Sequence, residues 1–135
     1  MDNNHYKEER PWGTYEILSE FSVNEPGFKD VCVKKMTIKP CHRVSYQSHK
    51  LRNEHWFFVQ GTGTVIINDK EIPVSVGSQV HIKIGDKHRA INTSKTQDLI
   101  FIETQTGHYD EEDIERFQDD YGGERKTGYR GKFNS

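Results

Sequence analysis

The stretch that decides the fold covers residues 44–61, VSYQSHKLRNEHWFFVQG. In an extended strand, alternate side chains point to opposite faces. Read that way, Arg43, Ser45, Gln47 and His49 share one face, while Val44 and Tyr46 share the other. Five residues beyond His49 a second run opens, in which Glu54, Trp56 and Phe58 share a face and His55, Phe57 and Val59 point away from it. A polar strand face is often simply solvated, and that reading stands open for the first run taken alone. A carboxylate heading an aromatic face is different, because burying an ionised carboxyl without a partner is strongly unfavourable. Glu54 therefore calls for a cation, and Gln47, His49 and a further His88 after the Gly85 turn are suitable companions for a divalent metal. Two imidazoles, one carboxylate and one amide oxygen would make a mixed site with open positions, the pattern of a catalytic rather than a closed structural centre, while histidine is common on strands and the spacing alone leaves a structural reading equally open.

Outward from this stretch, short β-rich runs are expected over 14–18, 31–38, 44–49, 54–60, 64–67, 72–76, 79–83, 88–92 and 99–105. Turn-forming residues at 24–27, 39–40, 68–69, 85–86 and 92–94 punctuate them. The pattern predicts an all-β, antiparallel sandwich or barrel of jelly-roll type. One short C-terminal helix is expected over 110–117, where Asp110 can cap, Glu111, Glu112 and Asp113 suit the positive helix end, and Ile114 and Phe117 share a face. Residues 1–9 read as a flexible N-terminus, 10–121 as a single domain, and 122–135, with adjacent glycines and no apolar periodicity, as a flexible tail.

Composition sets the limits. The 135 residues, with 7 Phe, 6 Tyr and 2 Trp, can fill one core but cannot hold two catalytic domains. Lys plus Arg is 19 against 21 for Asp plus Glu, so no global field favours nucleic acid or an anionic membrane. No stretch approaches the roughly 18 apolar residues that span a bilayer, and no secretory signal pattern opens the chain. A cytoplasmic protein is expected. Cys32 and Cys41 lack the spacing of a thiolate metal site and read as reduced structural thiols.

Written out from Pro40, PCHRVSYQSHKLRNEHWFFVQG resembles the first cupin motif, G(x)5HxH(x)3-4E(x)6G, with Cys41 at the leading Gly, Gln47 and His49 at the two His, Glu54 at the Glu and Gly61 at the closing Gly. The second motif, G(x)5PxG(x)2H(x)3N, matches Gly77, Gly85, His88 and Asn92, with Lys83 at the Pro position. RPWGTYEIL, QSHKLRNEHW, GDKHRAIN and IETQTGHYDEEDIERFQDDYG are similar to the C-terminal cupin of type II mannose-6-phosphate isomerases, often fused to mannose-1-phosphate guanylyltransferase. Leu51 stands where that branch often has another His, and the fused enzyme's Gly-rich nucleotide signature is absent.

The resemblance implies a metal-dependent aldose–ketose isomerase interconverting mannose 6-phosphate and fructose 6-phosphate. The alternative is a non-catalytic metal cupin that binds a carbohydrate or sugar nucleotide. The expected cofactor is one divalent ion, Zn, Mn, Fe, Co or Ni, on Gln47, His49, Glu54 and His88. Glu103, His81 and Lys83 are the acid–base candidates, Glu103 being open also to a buried structural role. Arg43, Arg52 and Arg89, with Lys83, are the candidates for a phosphate, since guanidinium forks match its oxygens. The expected partners are a small sugar phosphate and a second copy of the chain, because His55, Phe57 and Val59 face away from the site and need cover.

Overall fold

VCVKKMTI, with Cys32, Lys34, Met36 and Ile38 buried and the residues between them half-buried, forms one strand of a two-sheet molecule. In the computed structural model, residues 5–23, 30–107, 114–118 and 120 are described. The strands are β1 (Tyr6–Arg10), β2 (Gly13–Phe21), β3 (Val31–Ile38), β4 (Tyr46–His49), β5 (Arg52–Gln60), β6 (Gly63–Ile67), β7 (Lys70–Val74), β8 (Gln79–Ile82), β9 (His88–Asn92), β10 (Leu99–Gly107) and β11 (Ile114–Gln118). One sheet runs β1-β2-β3-β10-β5-β8 and the other β11-β4-β9-β6-β7, a sandwich of two antiparallel sheets consistent with a cupin jelly roll.

The centre of the larger sheet is a panel of β3, β10 and β5, in continuous register from Phe101 to Thr106, with a shift of the β10–β5 pairing between Ile100 and Phe101. Opposite residues on one face of an antiparallel pair point the same way, so three rows cross its inner surface. Cys32, Gln105 and Glu54 form the first, Lys34, Glu103 and Trp56 the second, and Met36, Phe101 and Phe58 the third. All are buried. In the apolar row Phe101 lies 4.5 Å from the Trp56 ring, stacked, and 4.8 Å from Phe58. Trp12, Tyr15, Ile38, Val44, Val65, Ile82 and Leu99 extend this cluster into one core between the sheets.

The smaller sheet is knit less evenly. β6 pairs with β9 and with β7 over their full lengths, and the β6–β7 hairpin turns on Asn68 and Asp69, both at positive φ, the geometry of a two-residue primed turn. β4, by contrast, meets β9 through a single bridged pair, Gln47 with His88.

Its other edge is covered by β11, where Ile114 lies opposite His49 and Arg116 opposite Gln47. The helix expected over 110–117 is thus corrected, since 114–118 is strand, while 110–113 lie outside the described residues. An open β4 edge presents unpaired N–H and C=O groups, and pairing them outweighs local helix preference. Of residues 1–9, expected to be flexible, 6–9 belong to β1 (Tyr6–Arg10), paired with β2 across the Pro11–Trp12 turn that buries Trp12. The tail at 122–135 lies outside the described residues, among which no helix is long and apolar enough to cross a membrane.

Candidate metal centre

Strand alternation carries His49 at the end of β4, Glu54 near the start of β5 and His88 at the head of β9 into the space between the sheets. One donor atom from each lies within 4.8 Å of the others, and all three residues are buried. Two local features hold them there. The β8–β9 loop is tied to β4 by the Gly85 N–H donating to the His49 carbonyl at 2.7 Å. Two residues, Lys50 and Leu51, carry the chain from the smaller sheet to the larger, setting His49 and Glu54 face to face.

The hydrogen bonds fix which atoms carry protons. His88 Nδ1 is 3.0 Å from the Asp86 carbonyl, which can only accept, so Nδ1 donates and Nε2 keeps its lone pair. That Nε2 is buried with no hydrogen-bond partner among the described residues and lies 3.9 Å from Glu54 Oε1. Arg52 Nη2, which can only donate, is 3.1 Å from His49 Nε2, so His49 too presents a lone pair there. Glu54 Oε2 is 3.2 Å from the same nitrogen. Arg52 thus donates to both the His49 nitrogen and Oε2, while the His88 Nε2 lone pair and Oε1 face each other with no proton between them, an arrangement a cation relieves. Its metal-ligating fit comes from the neutral imidazoles, the carboxylate and the orphaned Nε2 together.

Electrostatics point the same way. Burial pushes the His49 imidazole down to about 4, against the opposing pull of Glu54, and burial likewise lowers His88. Burial alone would raise Glu54, but the His49 ring, once protonated in acid, and the Arg52 guanidinium hold its carboxyl well below the usual range. At neutral pH the site is two neutral rings and an anion. Arg52 Nε donates to Glu54 Oε2 at 3.1 Å and Trp56 Nε1 to Oε1 at 3.0 Å, so both carboxylate oxygens are oriented from outside the cluster.

The other candidates divide. Gln47 is buried in register with His88, on the same β4 face as His49, and its Oε1 accepts from Ser45 Oγ at 3.4 Å. Glu103 lies on the inner panel, where burial and then Glu54 raise its carboxyl to about 7, and Gln105 Nε2 donates to it. His81 and Lys83 do not join this site, which corrects their assignment as acid–base candidates: both are exposed, and His81 pairs with His55 on the outer surface of the sheet. The parity of β8 explains it, since Val80 and Ile82 take the inner face. Arg43 grips Asp120 through two nitrogens, at 2.8 and 3.1 Å. Arg89 donates to the Val44 carbonyl at 2.8 Å and to Gln118 Oε1 at 3.1 Å, and so fastens β11. Neither reaches the cluster, which leaves Arg52 as the arginine of the three that does. Missed by the sequence reading were Lys34, Gln105 and the role of Trp56. The signal for Lys34 was a lysine in the buried parity of β3.

Residues 1–119 match the family described as mannose-6-phosphate isomerase C-terminal. The chain is 41% identical over 120 residues to the alginate biosynthesis protein AlgA of Pseudomonas aeruginosa, covering 88% of this chain and 23% of that protein. It is 36% identical over 114 residues to mannose-1-phosphate guanylyltransferase of Klebsiella pneumoniae, covering 84% and 22%. The chain thus spans less than a quarter of the length of these relatives. Among solved structures, KdgF from Halomonas sp. superposes with a TM-score of 0.67 at 14% identity, covering 82% of this chain and 91% of that one, a likeness of fold. These matches overturn the expected self-contained conversion of mannose 6-phosphate to fructose 6-phosphate. What matches is a C-terminal, isomerase-like domain of longer biosynthetic proteins, one of them a guanylyltransferase by name, and no isomerase reaction of its own follows for this chain.

Proposed function

The chain belongs to the mannose-6-phosphate isomerase C-terminal family, and on that premise we propose that it is the divalent-metal domain of an enzyme handling phosphorylated sugars of the mannose series. One ion, of the Zn, Mn, Fe, Co or Ni class that suits mixed imidazole and oxygen donors, would be held by His49, Glu54 and His88 with Gln47 as fourth ligand. The observation that carries this reading is the convergence of the His49 and His88 Nε2 lone pairs on the Glu54 carboxylate. When bound, such an ion supplies Lewis-acid polarisation of a ligand's oxygens.

The chain's own residues supply the rest. Arg52 orients Glu54 and His49, Trp56 holds the second carboxylate oxygen, and the Asp86 carbonyl sets the His88 tautomer. The same reading keeps the two-copy assembly expected from Phe57 and Val59, which are 40% and 42% exposed on the outer face of β5. Light scattering that returned a 15.8 kDa monomer at micromolar concentration would remove that part.

Metal analysis of purified protein, as isolated and after reconstitution, tests the centre. Wild type should hold one ion per chain, and H49A and H88A should hold background levels. Calorimetry with mannose 6-phosphate should then show binding to loaded protein that a chelator abolishes. Wild-type metal content in both variants would sink the site, and loaded protein that bound no sugar phosphate would sink the ligand class.

A further inference from the structure

A buried metal centre that takes a sugar phosphate needs a way in. Gln47, His49, Glu54 and His88 are at most 3% exposed, and His88 Nε2, the atom aimed at the cluster, is shielded from solvent. A donor atom that water does not touch cannot be reached by a larger molecule unless something beside it moves. Most of what surrounds it is fixed. β5 is hydrogen-bonded on both sides, by β10 and by β8, and β9 lies between β4 and β6. The β8–β9 loop is tied at three points: Gly85 N–H donates to the His49 carbonyl at 2.7 Å, Ile84 N–H to Asn53 Oδ1 at 3.0 Å and Lys87 N–H to Asn68 Oδ1 at 3.0 Å.

β11 is the exception. It is an edge strand whose ladder runs to β4 alone, and it contributes no side chain to the apolar core among the described residues. Ile114 lies opposite His49 and Arg116 opposite Gln47. Opposed residues share a face with Cβ atoms about 5 Å apart, so β11 flanks two of the four proposed ligands on their own side of the sheet. Its remaining ties are at the surface. Arg43 grips Asp120 at 2.8 and 3.1 Å, with side chains 43% and 38% exposed, Arg89 donates to Gln118 Oε1 at 3.1 Å, and the exposed Phe117 packs edge-on against Tyr46. An ion pair that open to water is weak, and salt weakens it further. A strand held by one ladder and a surface clamp can open without disturbing the core.

We propose that β11 is a releasable strap over the metal centre, leaving the β4 edge to let a ligand pass and returning to close it, with the Arg43–Asp120 pair setting how long it stays shut. This rests on the metal-centred sugar-phosphate reading above. Closed, Ile114 and Arg116 keep water from His49 and Gln47; open, the β4 edge is the doorway.

The test uses the full chain, loaded with zinc, in a Cys41→Ser background. Ser48→Cys with Glu115→Cys places two thiols opposite each other in the β4–β11 register, where oxidation staples the strap down. The rate at which EDTA withdraws the ion and the stopped-flow association rate of mannose 6-phosphate are then measured. Both should fall about tenfold in the stapled form and recover on reduction with a phosphine, because each scales with the open fraction. Asp120→Asn removes the clamp without touching a ligand and should raise both rates about threefold at low salt, a difference that high salt erases. Zinc content at saturation should be equal in all forms. A stapled protein that keeps wild-type rates overturns the strap while leaving the metal reading intact, and wild-type rates in Asp120→Asn at low salt remove the clamp. If loaded wild type binds no mannose 6-phosphate, the sugar reading falls and the EDTA rate alone decides the strap. Wild type that takes up no zinc overturns both.

Discussion

The two ends of the inner β3–β10–β5 panel share one register and one alternation, yet they differ completely in chemistry. At one end Met36, Phe101 and Phe58 close on each other as an apolar row; at the other, Cys32, Gln105 and Glu54 lead into the metal cluster. Backbone geometry therefore does not distinguish a stabilising end from a ligand-binding end. Side-chain type alone does, and it assigns separate consequences to damage at each.

The sharpest way to break this division is a pair of substitutions. Phe101→Ala removes a ring packed on both Trp56 and Phe58 and should cost about 4 kcal/mol of unfolding free energy, with metal uptake intact below the melting transition. Glu54→Gln should lose metal uptake altogether, and it also lowers the Tm of the metal-free protein, because it takes a counter-charge from the buried Arg52 guanidinium. Denaturant titration and metal analysis read both, and either variant behaving like the other would erase the distinction.

Acid supplies the next largest effect. His49 is held down to about 4 in the folded chain, whereas an unfolded imidazole titrates near 6.5. As pH falls below 6.5 the unfolded state takes up a proton that the folded state refuses, so stability present above that pH is lost progressively toward 4. The loss from this ring is about 3 kcal/mol in all. Urea midpoints of metal-free wild type should drop across that window, and those of His49→Ala should drop less.

A smaller effect sharpens the boundary between the two ends, where Trp56 belongs to both. Trp56→Phe keeps a ring against Phe101 but removes the N–H held by Glu54 Oε1, and should weaken metal affinity by about tenfold to a hundredfold. Outside the panel, Cys41 occupies a left-handed φ of 64° with an exposed side chain. Cys41→Gly should raise stability by about 1 kcal/mol or less and leave metal uptake unchanged.

How much of this was legible depended on the range of the interaction. The spans expected at 31–38 and 88–92 coincide with β3 and β9, because strict alternation or a bounded β-rich run is written locally. Glu54 was legible for the same reason, a carboxylate breaking an aromatic parity. β11 was not, since its partner is the edge of a strand more than sixty residues away, and no local pattern encodes an edge that needs cover. His81 and Lys83 could have been excluded from the parity of Val80 and Ile82, which claim the inward face. Arg43 and Arg89 looked like phosphate ligands because a guanidinium is equally suited to a carboxylate, and their partner Asp120 lies far along the chain.

The proposed ligands are divided between the sheets: His49 and His88 belong to the smaller one, Glu54 to the larger. An ion bound to all three would act as a mechanical rivet across the sandwich. Pulling the layers apart would then require breaking coordination bonds as well as separating side chains. The strand with most to gain is β4, whose bond to β9 is a single bridged pair. Its amides should exchange with deuterium fastest of the ligand strands when metal is withheld and slow most when it is restored, so occupancy of the centre becomes readable as the breathing rate of one short strand.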